Sequence, residues 1–286
     1  HGGSHPFLEL GFYDLAGEDG AEKGDREKTN GKSRFHAFAR TRCWNWQQGA
    51  RLQWFPGDGG RCALYNTMLG EAYGAVMCDV ESGRVEREIP FPFESGRVER
   101  EIPFPVYSLS PDGRRALSLN FSRLHRMRPG YGYSNLPDRT EGRAAPEDDG
   151  VFLGDIESGK MEMVLSLAQA AAFEPRESMA GAQHYFNHLS FSPSGARWMV
   201  THLWSGGRGR SGRKKSSRIL VSGKNGGFSD ITAWINNEGF TSHYCWRDDD
   251  SIIVFGRARE GEPMGYFLHD LESGARQALG PGLLTE

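Results

Sequence analysis

The chain has 286 residues, with 34 Lys or Arg against 37 Asp or Glu and a net charge of −3. A field of that size does not steer the molecule to nucleic acid, and no apolar run approaches the ~20 residues of a membrane-spanning helix. Aromatic residues at 12% and 38 glycines favour strands and tight turns over helices.

The four cysteines, Cys43, Cys62, Cys78 and Cys245, are scattered without metal-type spacing. They read as buried thiols and fix no redox compartment. The first residue is His1 and no charged-then-apolar leader follows, so the start reads as processed or truncated. The compartment stays open, with a periplasmic or secreted location preferred to a cytoplasmic one.

In chain order, Leu8 to Gly17 reads as a strand and turn, and residues 18–34 as an exposed polar loop. A repeat follows. One half is a hairpin signal: Trp54-Phe-Pro-Gly-Asp58, Leu109-Ser-Pro-Asp-Gly113, Phe191-Ser-Pro-Ser-Gly195 and the looser Trp246-Arg-Asp-Asp-Asp250. Pro presets φ in such turns, and Gly accepts the φ values other residues avoid. The other half is a strand ending in an acidic turn: Asp79-Val-Glu-Ser-Gly83, Asp155-Ile-Glu-Ser-Gly159 and Asp270-Leu-Glu-Ser-Gly274. A Gly-rich turn at Ser222 to Gly227 takes its place once.

Each pair of halves supplies four short strands, the pattern of a β-propeller blade. Full units begin near residues 44, 106, 184 and 241, with a half unit at 8–17. The expected fold is all-β: one propeller domain over residues 1–286, built of four-stranded antiparallel blades. It is incomplete, with about four to five blades of a larger ring.

Three interruptions stand out. The segment Glu81 to Pro92 recurs unchanged at Glu94 to Pro105, read as a tandem duplication with one copy in the sheet and the other as loop. Residues 122–150 form the longest break and are expected to be a functional loop. Residues 160–180 are the one helix candidate, and 205–217 a basic Gly/Ser-rich loop.

Two constellations carry chemistry. Arg123, His125, Arg126 and Arg128 with Tyr131 and Tyr133 suit a carboxylate or sulfate on a sugar, since Arg offers bidentate forks and Tyr a stacking face with a hydroxyl. The alternative is an exposed basic loop pairing with Glu147, Asp148 and Asp149. His184, His188, His202 and His243 lie near the ends of predicted strands, where they would bind a divalent metal, or one would act as general base. The alternative is that each hydrogen-bonds within its own blade. The basic loop from Arg208 to Arg218 reads as solvated, and Trp44, Trp46 and Trp54 as core between blades rather than sugar platforms.

The alternating hairpins and Asp-x-Glu-Ser-Gly turns resemble TolB-like bacterial propeller repeats over most of residues 44–280. Arg123-Leu-His125, Arg128-Pro-Gly-Tyr-Gly-Tyr133, Asn187-His188, His202 and Ser242-His243 further resemble propellers allied to oligogalacturonate lyases. That resemblance implies binding of acidic, uronate-containing oligosaccharides and a candidate carbon–oxygen lyase using metal-assisted β-elimination. It makes His188, His202, Arg123 and Arg128 catalytic, His125, Tyr131 and Tyr133 substrate-binding, and His184, His188, His202 and His243 ligands of Mn or Zn. Two departures are a Leu at position 203, where a basic residue is expected, and the lack of a later Asp-Gly-His segment. The competing reading is a non-catalytic propeller that binds a glycan or protein. A monomer is expected.

Overall fold

Short strands alternating with tight turns build most of the described chain. The computed structural model describes residues 7–13, 35–81, 97–206, 216–223, 226–233, 242–256 and 264–281. They fall into two compact units, His1–Pro105 and Val106–Glu286.

The first unit holds β1 (Leu8–Tyr13), β2 (Phe35–Thr41), β3 (Gln53–Trp54), β4 (Cys62–Leu69), β5 (Ala72–Asp79) and β6 (Arg97–Ile102). β1 and β2 form a two-stranded antiparallel sheet, and β3 to β6 a four-stranded one in sequence order. Leu10, Phe38 and Ala39 from the former share one core with Tyr65, Val76 and Cys78 from the latter. β6 is drawn from the second copy of the duplicated segment. The first copy, apart from Glu81, lies outside the described residues, as does the polar stretch 18–34.

The second unit opens with β7 (Ser108–Leu109), β8 (Arg115–Ser118), α1 (Phe121–Met127), β9 (Gly150–Asp155), β10 (Met161–Ser166) and α2 (Leu167–Ala172). Then come β11 (Gln183–Phe191), β12 (Trp198–Ser205), β13 (Ser216–Ser222) and β14 (Phe228–Asp230). Last are β15 (Ser242–Asp248), β16 (Ser251–Gly256), β17 (Gly265–Asp270) and β18 (Arg276–Pro281). These strands make three further four-stranded antiparallel meanders, β7–β10, β11–β14 and β15–β18. The described chain is thus all-β in plan, assembled from four-stranded sheets of propeller-blade type.

The repeated turns explain the regularity. Gly113 and Gly195 donate their N–H to Ser110 and Ser192 carbonyls at 2.9 and 2.8 Å, with φ of 72° and 77°. In the acidic turns, Asp155 and Asp270 carboxylates accept from the N–H of Ser158 and Ser273 at 2.7 and 2.8 Å. One such sheet cannot bury both of its faces alone, so neighbours must stack. Met199, Ile219, Val221 and Ile231 pack against Ile252 and Val254, joining the third sheet to the fourth. The hairpin turns are tied in series: Arg115 donates to the Gly195 carbonyl at 2.8 Å, and Arg197 pairs with Asp250 at 3.2 Å.

Two expectations need correction. The stretch expected to be helical from residue 160 begins as β10, because the sheet takes its fourth strand there. Helix starts only after Ser166, whose hydroxyl accepts from Gln169 N–H while the Gln169 side chain accepts from Ser166 N–H, a capping box. The 122–150 break contains α1, capped by Asn120 accepting from Arg123 N–H at 2.9 Å, with His125 and Arg126 in its last turn, where cations suit the helix dipole. Of the basic stretch 205–217, residues 207–215 lie outside the described residues and the end enters β13. Cys43, Cys62 and Cys78 are buried, whereas Cys245 is exposed.

Candidate functional site

β11 and β12 bring two of the singled-out histidines together. The register pairs His184 with Trp204 and Phe186 with His202, so strand alternation places these side chains on one face. The imidazoles of His184 and His202 stack at 5.0 Å between centroids, with Nδ1 of His184 2.9 Å from Nε2 of His202. From β13, Arg218 donates its Nε–H to Nδ1 of His202 at 3.1 Å. A guanidinium only donates. His202 therefore carries its proton on Nε2 and donates it to His184.

Burial holds both rings neutral. Desolvation, followed by the charges of Arg123 and Arg218, pushes His184 down to about 4. Complete burial, then His184 and Arg218, carries His202 well below the usual histidine range. These residues do not fit a divalent metal: Nδ1 of His202 is occupied by a guanidinium, and Nδ1 of His184 by the neighbouring imidazole. Among the described residues no cluster of three or more His, Cys, Asp or Glu is placed to hold one. His188 and His243 are not part of this pair. His188 lies half-buried on β11, and His243 is exposed on β15 with its ring edge-on to Phe255 at 6.4 Å.

The arginines of the 122–150 segment divide in the same way. Arg123 is fully buried, and all five of its N–H groups are spent on the protein. Nε donates to the His184 carbonyl at 2.8 Å, Nη1 to the Thr140 carbonyl and hydroxyl, and Nη2 to the carbonyls of Arg143 and Ala144. None remains for a substrate carboxylate, which corrects its expected role. Arg126 pairs with buried Asp138 at 2.8 Å. Tyr133 is also fully buried, stacked on Phe121 at 4.4 Å and 6°, so it is a core ring rather than a sugar platform. Gly132 is needed here because a Cβ would collide with the Phe121 carbonyl and the His125 backbone. His125 itself is half-buried on the last turn of α1.

Arg128 and Tyr131 remain. The Arg128 guanidinium lies 3.8 Å over the Tyr131 ring and donates to its hydroxyl at 3.0 Å. Among the described residues no carboxylate pairs with Arg128. Tyr131 in turn meets His188 edge-on at 5.8 Å, and Tyr244 meets it edge-on at 6.5 Å. Cation, phenol and imidazole are thus gathered beside β11, all half-buried. Tyr185, whose buried hydroxyl has no hydrogen-bond partner among the described residues, is close enough to Arg128 and Tyr131 to feel both electrostatically.

Sequence reasoning missed Tyr107, Tyr185 and Tyr244, and it placed Arg218 in a solvated loop, whereas the side chain is fully buried. For two of these a signal existed. Tyr107 and Tyr244 each stand two residues before the apolar residue that opens a hairpin signal, Leu109 and Trp246. Aligning the repeats side by side exposes them.

No protein-family model matches the chain, and no curated protein sequence matches it. Solved structures do resemble it. TolB from Acinetobacter baumannii matches at 14% identity and TM-score 0.39, over 79% of this chain and 42% of that one. An oligogalacturonate lyase in complex with manganese matches at 9% identity and TM-score 0.46, over 98% and 61%. An oligogalacturonate lyase from Vibrio parahaemolyticus matches at 10% identity and TM-score 0.41, over 78% and 51%. The chain therefore spans between 42% and 61% of the length of these proteins. At these identities the likeness is one of fold alone.

Proposed function

We propose that the second unit binds a uronate-containing oligosaccharide at Arg128, Tyr131 and His188. The observation that carries this reading is the state of Arg128, the one guanidinium among Arg123, Arg126 and Arg128 that meets neither a carboxylate nor a full set of carbonyls among the described residues. Its fork suits a sugar carboxylate, and Tyr131 beside it offers a ring and a hydroxyl. His188 is the candidate base. In β-elimination its imidazole nitrogen would take the proton from the carbon α to the carboxylate. The electron pair left there would form the double bond as the glycosidic oxygen departs from the β carbon with the C–O bonding pair and takes a proton from the imidazolium or from water. The manganese belongs to one lyase among the similar structures, and the step is written here with protein groups.

Binding without turnover is the second reading. It is favoured by the internal use of Arg123 and His202, which removes two of the four expected catalytic groups. Calorimetry with uronate and matched neutral oligosaccharides, run beside absorbance at about 235 nm for the unsaturated product, separates the two. Saturable binding of uronate only, weakened at least tenfold by Arg128→Ala, supports the site. Growth of absorbance that disappears in His188→Ala makes it a lyase, and binding with a flat trace makes it a binding module. Equal affinity for neutral and acidic sugars, or none for either, overturns the proposal.

A further inference from the structure

Four non-glycine residues among those described have positive φ: Arg51 at 55°, Glu174 at 40°, His188 at 50° and His243 at 60°. Three of them share one place in the repeat. Arg51, His188 and His243 each stand three residues before the aromatic that opens a hairpin signal, Trp54, Phe191 and Trp246. In the two histidine cases strand register is also broken at that point, between Asn187 and Ser190 and between Ser242 and Tyr244. A left-handed residue other than Gly is disfavoured, and bulges re-aim the side chain they carry. Such a conformation persists where its surroundings over-determine it, and it clusters at functional sites.

For His188 those surroundings are on hand. The Tyr107 hydroxyl, just before β7 in the preceding sheet, accepts the His188 N–H at 2.9 Å and donates to the Asn187 side-chain oxygen at 2.9 Å. That same oxygen also accepts the His188 N–H at 2.9 Å. The Tyr244 hydroxyl, on β15 of the following sheet, donates to the His188 carbonyl at 2.9 Å. Its oxygen is left to accept from the Thr201 hydroxyl, its other partner. One residue thus has its N–H gripped from one neighbouring sheet and its C=O from the other. Both phenols occupy the same repeat position, one step later than the left-handed residue.

We infer that Tyr107 and Tyr244 are positioning residues that fix the left-handed backbone of His188, and through it the direction in which its imidazole is presented beside Arg128. This rests on the use of His188 in the proposed function, and its structural half is testable without that function. Neither tyrosine contributes a proton to the reaction as written. They act by orientation, for which a misplacement of about 1 Å can cost on the order of 100-fold in rate.

Tyr107→Phe and Tyr244→Phe each delete one oxygen. The His188 imidazole resonances, assigned by their loss in His188→Ala, are followed by NMR in the folded variants, with His125 as the internal control. The expected result is displaced His188 signals in both variants, with His125 signals unmoved. Where the wild type eliminates uronate, kcat falls at least tenfold while KM stays within about twofold. Should either Phe variant fail to fold, Thr201→Val, which removes a hydrogen bond from the Tyr244 hydroxyl, carries the same NMR readout. Unmoved His188 resonances in every folded variant overturn the inference. A wild type that neither binds nor cleaves uronate overturns the proposed function instead, and the NMR arm still decides the clamp.

Discussion

Two clusters of the same side-chain types sit along β11 and differ in what they have left to give. Around His184, every ring nitrogen and guanidinium hydrogen followed above is committed inward: His202 to His184, Arg218 to His202, and Arg123 to five acceptors. Around His188, the guanidinium of Arg128 rests on a tyrosine and, among the described residues, no carboxylate meets it. Strict alternation would send His184 and His188 to the same face of the strand. The bulge after Asn187 and the left-handed φ of His188 break that parity. The two imidazoles consequently meet different company, Trp204 and His202 for one, Tyr131 and Tyr244 for the other.

The largest expected effect separates the two arginines. Arg123→Ala leaves the carbonyls of Thr140, Arg143, Ala144 and His184 and the Thr140 hydroxyl short of a donor, removes the guanidinium charge 4.0 Å from the buried Asp138 carboxylate, and should cost about 3–5 kcal/mol. That is a large fraction of the stability of a typical domain. Arg128→Ala removes one hydrogen bond and one cation–π contact at a half-buried position, and should cost about 1 kcal/mol or less. Urea unfolding of both variants checks the order. Equal losses would mean that Arg128 is as structural as Arg123, and the comparison would collapse.

The next effect is on pH. Folded His184 titrates at about 4, against roughly 6.5 for a free histidine. Between those values the unfolded chain holds a proton that the folded chain does not. Stability from this group is therefore complete above about pH 6.5 and falls as pH drops toward 4, by a total on the order of 3 kcal/mol. His202, held well below the ordinary histidine range by its complete burial, adds a loss of the same sign. Buried Asp149, raised chiefly by desolvation, acts with the opposite sign and offsets part of it. Unfolding free energies from pH 7 to 4.5 should decline in the wild type and decline less in His184→Gln. A flat wild-type profile would show that the pair is not held neutral.

Much of the architecture was legible in sequence, because its turn chemistry is local. Ser-Pro-Asp-Gly and Asp-x-Glu-Ser-Gly fix their own geometry within about five residues, and the four units they mark are the four four-stranded sheets. The site was legible only as a list. His188, Arg128 and Tyr131 were named beside Arg123, His202 and Tyr133, and nothing local separates the two sets. Whether Arg123 is spent depends on carbonyls at positions 140, 143, 144 and 184, which only the fold assembles. Tyr133 illustrates the same limit, since its ring is claimed by Phe121 across a turn that needs Gly132. The start of β10 was misread for another reason: Met161 to Leu165 has apolar residues that suit either period, and its place as fourth strand is decided by pairing with β9.

The smallest effect tests the backbone device itself. At Arg51, His188 and His243 the Gly and Ala variants lose the same side chain, so their difference isolates the cost of a Cβ in the left-handed region. Gly should be the more stable of the two by about 1 kcal/mol at each position. Val106 stands at the same place in the second sheet without a positive φ, and there the order should reverse, with Ala ahead by roughly 0.5–1 kcal/mol. Chemical unfolding of these four pairs gives four signs. Histidine tolerates the left-handed region better than most residues, so the imidazole alone is an ambiguous marker, and Arg51 is the more demanding case. Three signs one way and the fourth reversed would establish a recurring strained presentation point. Ala ahead at His188 would mean that Tyr107 and Tyr244 hold a conformation with no strain to hold against.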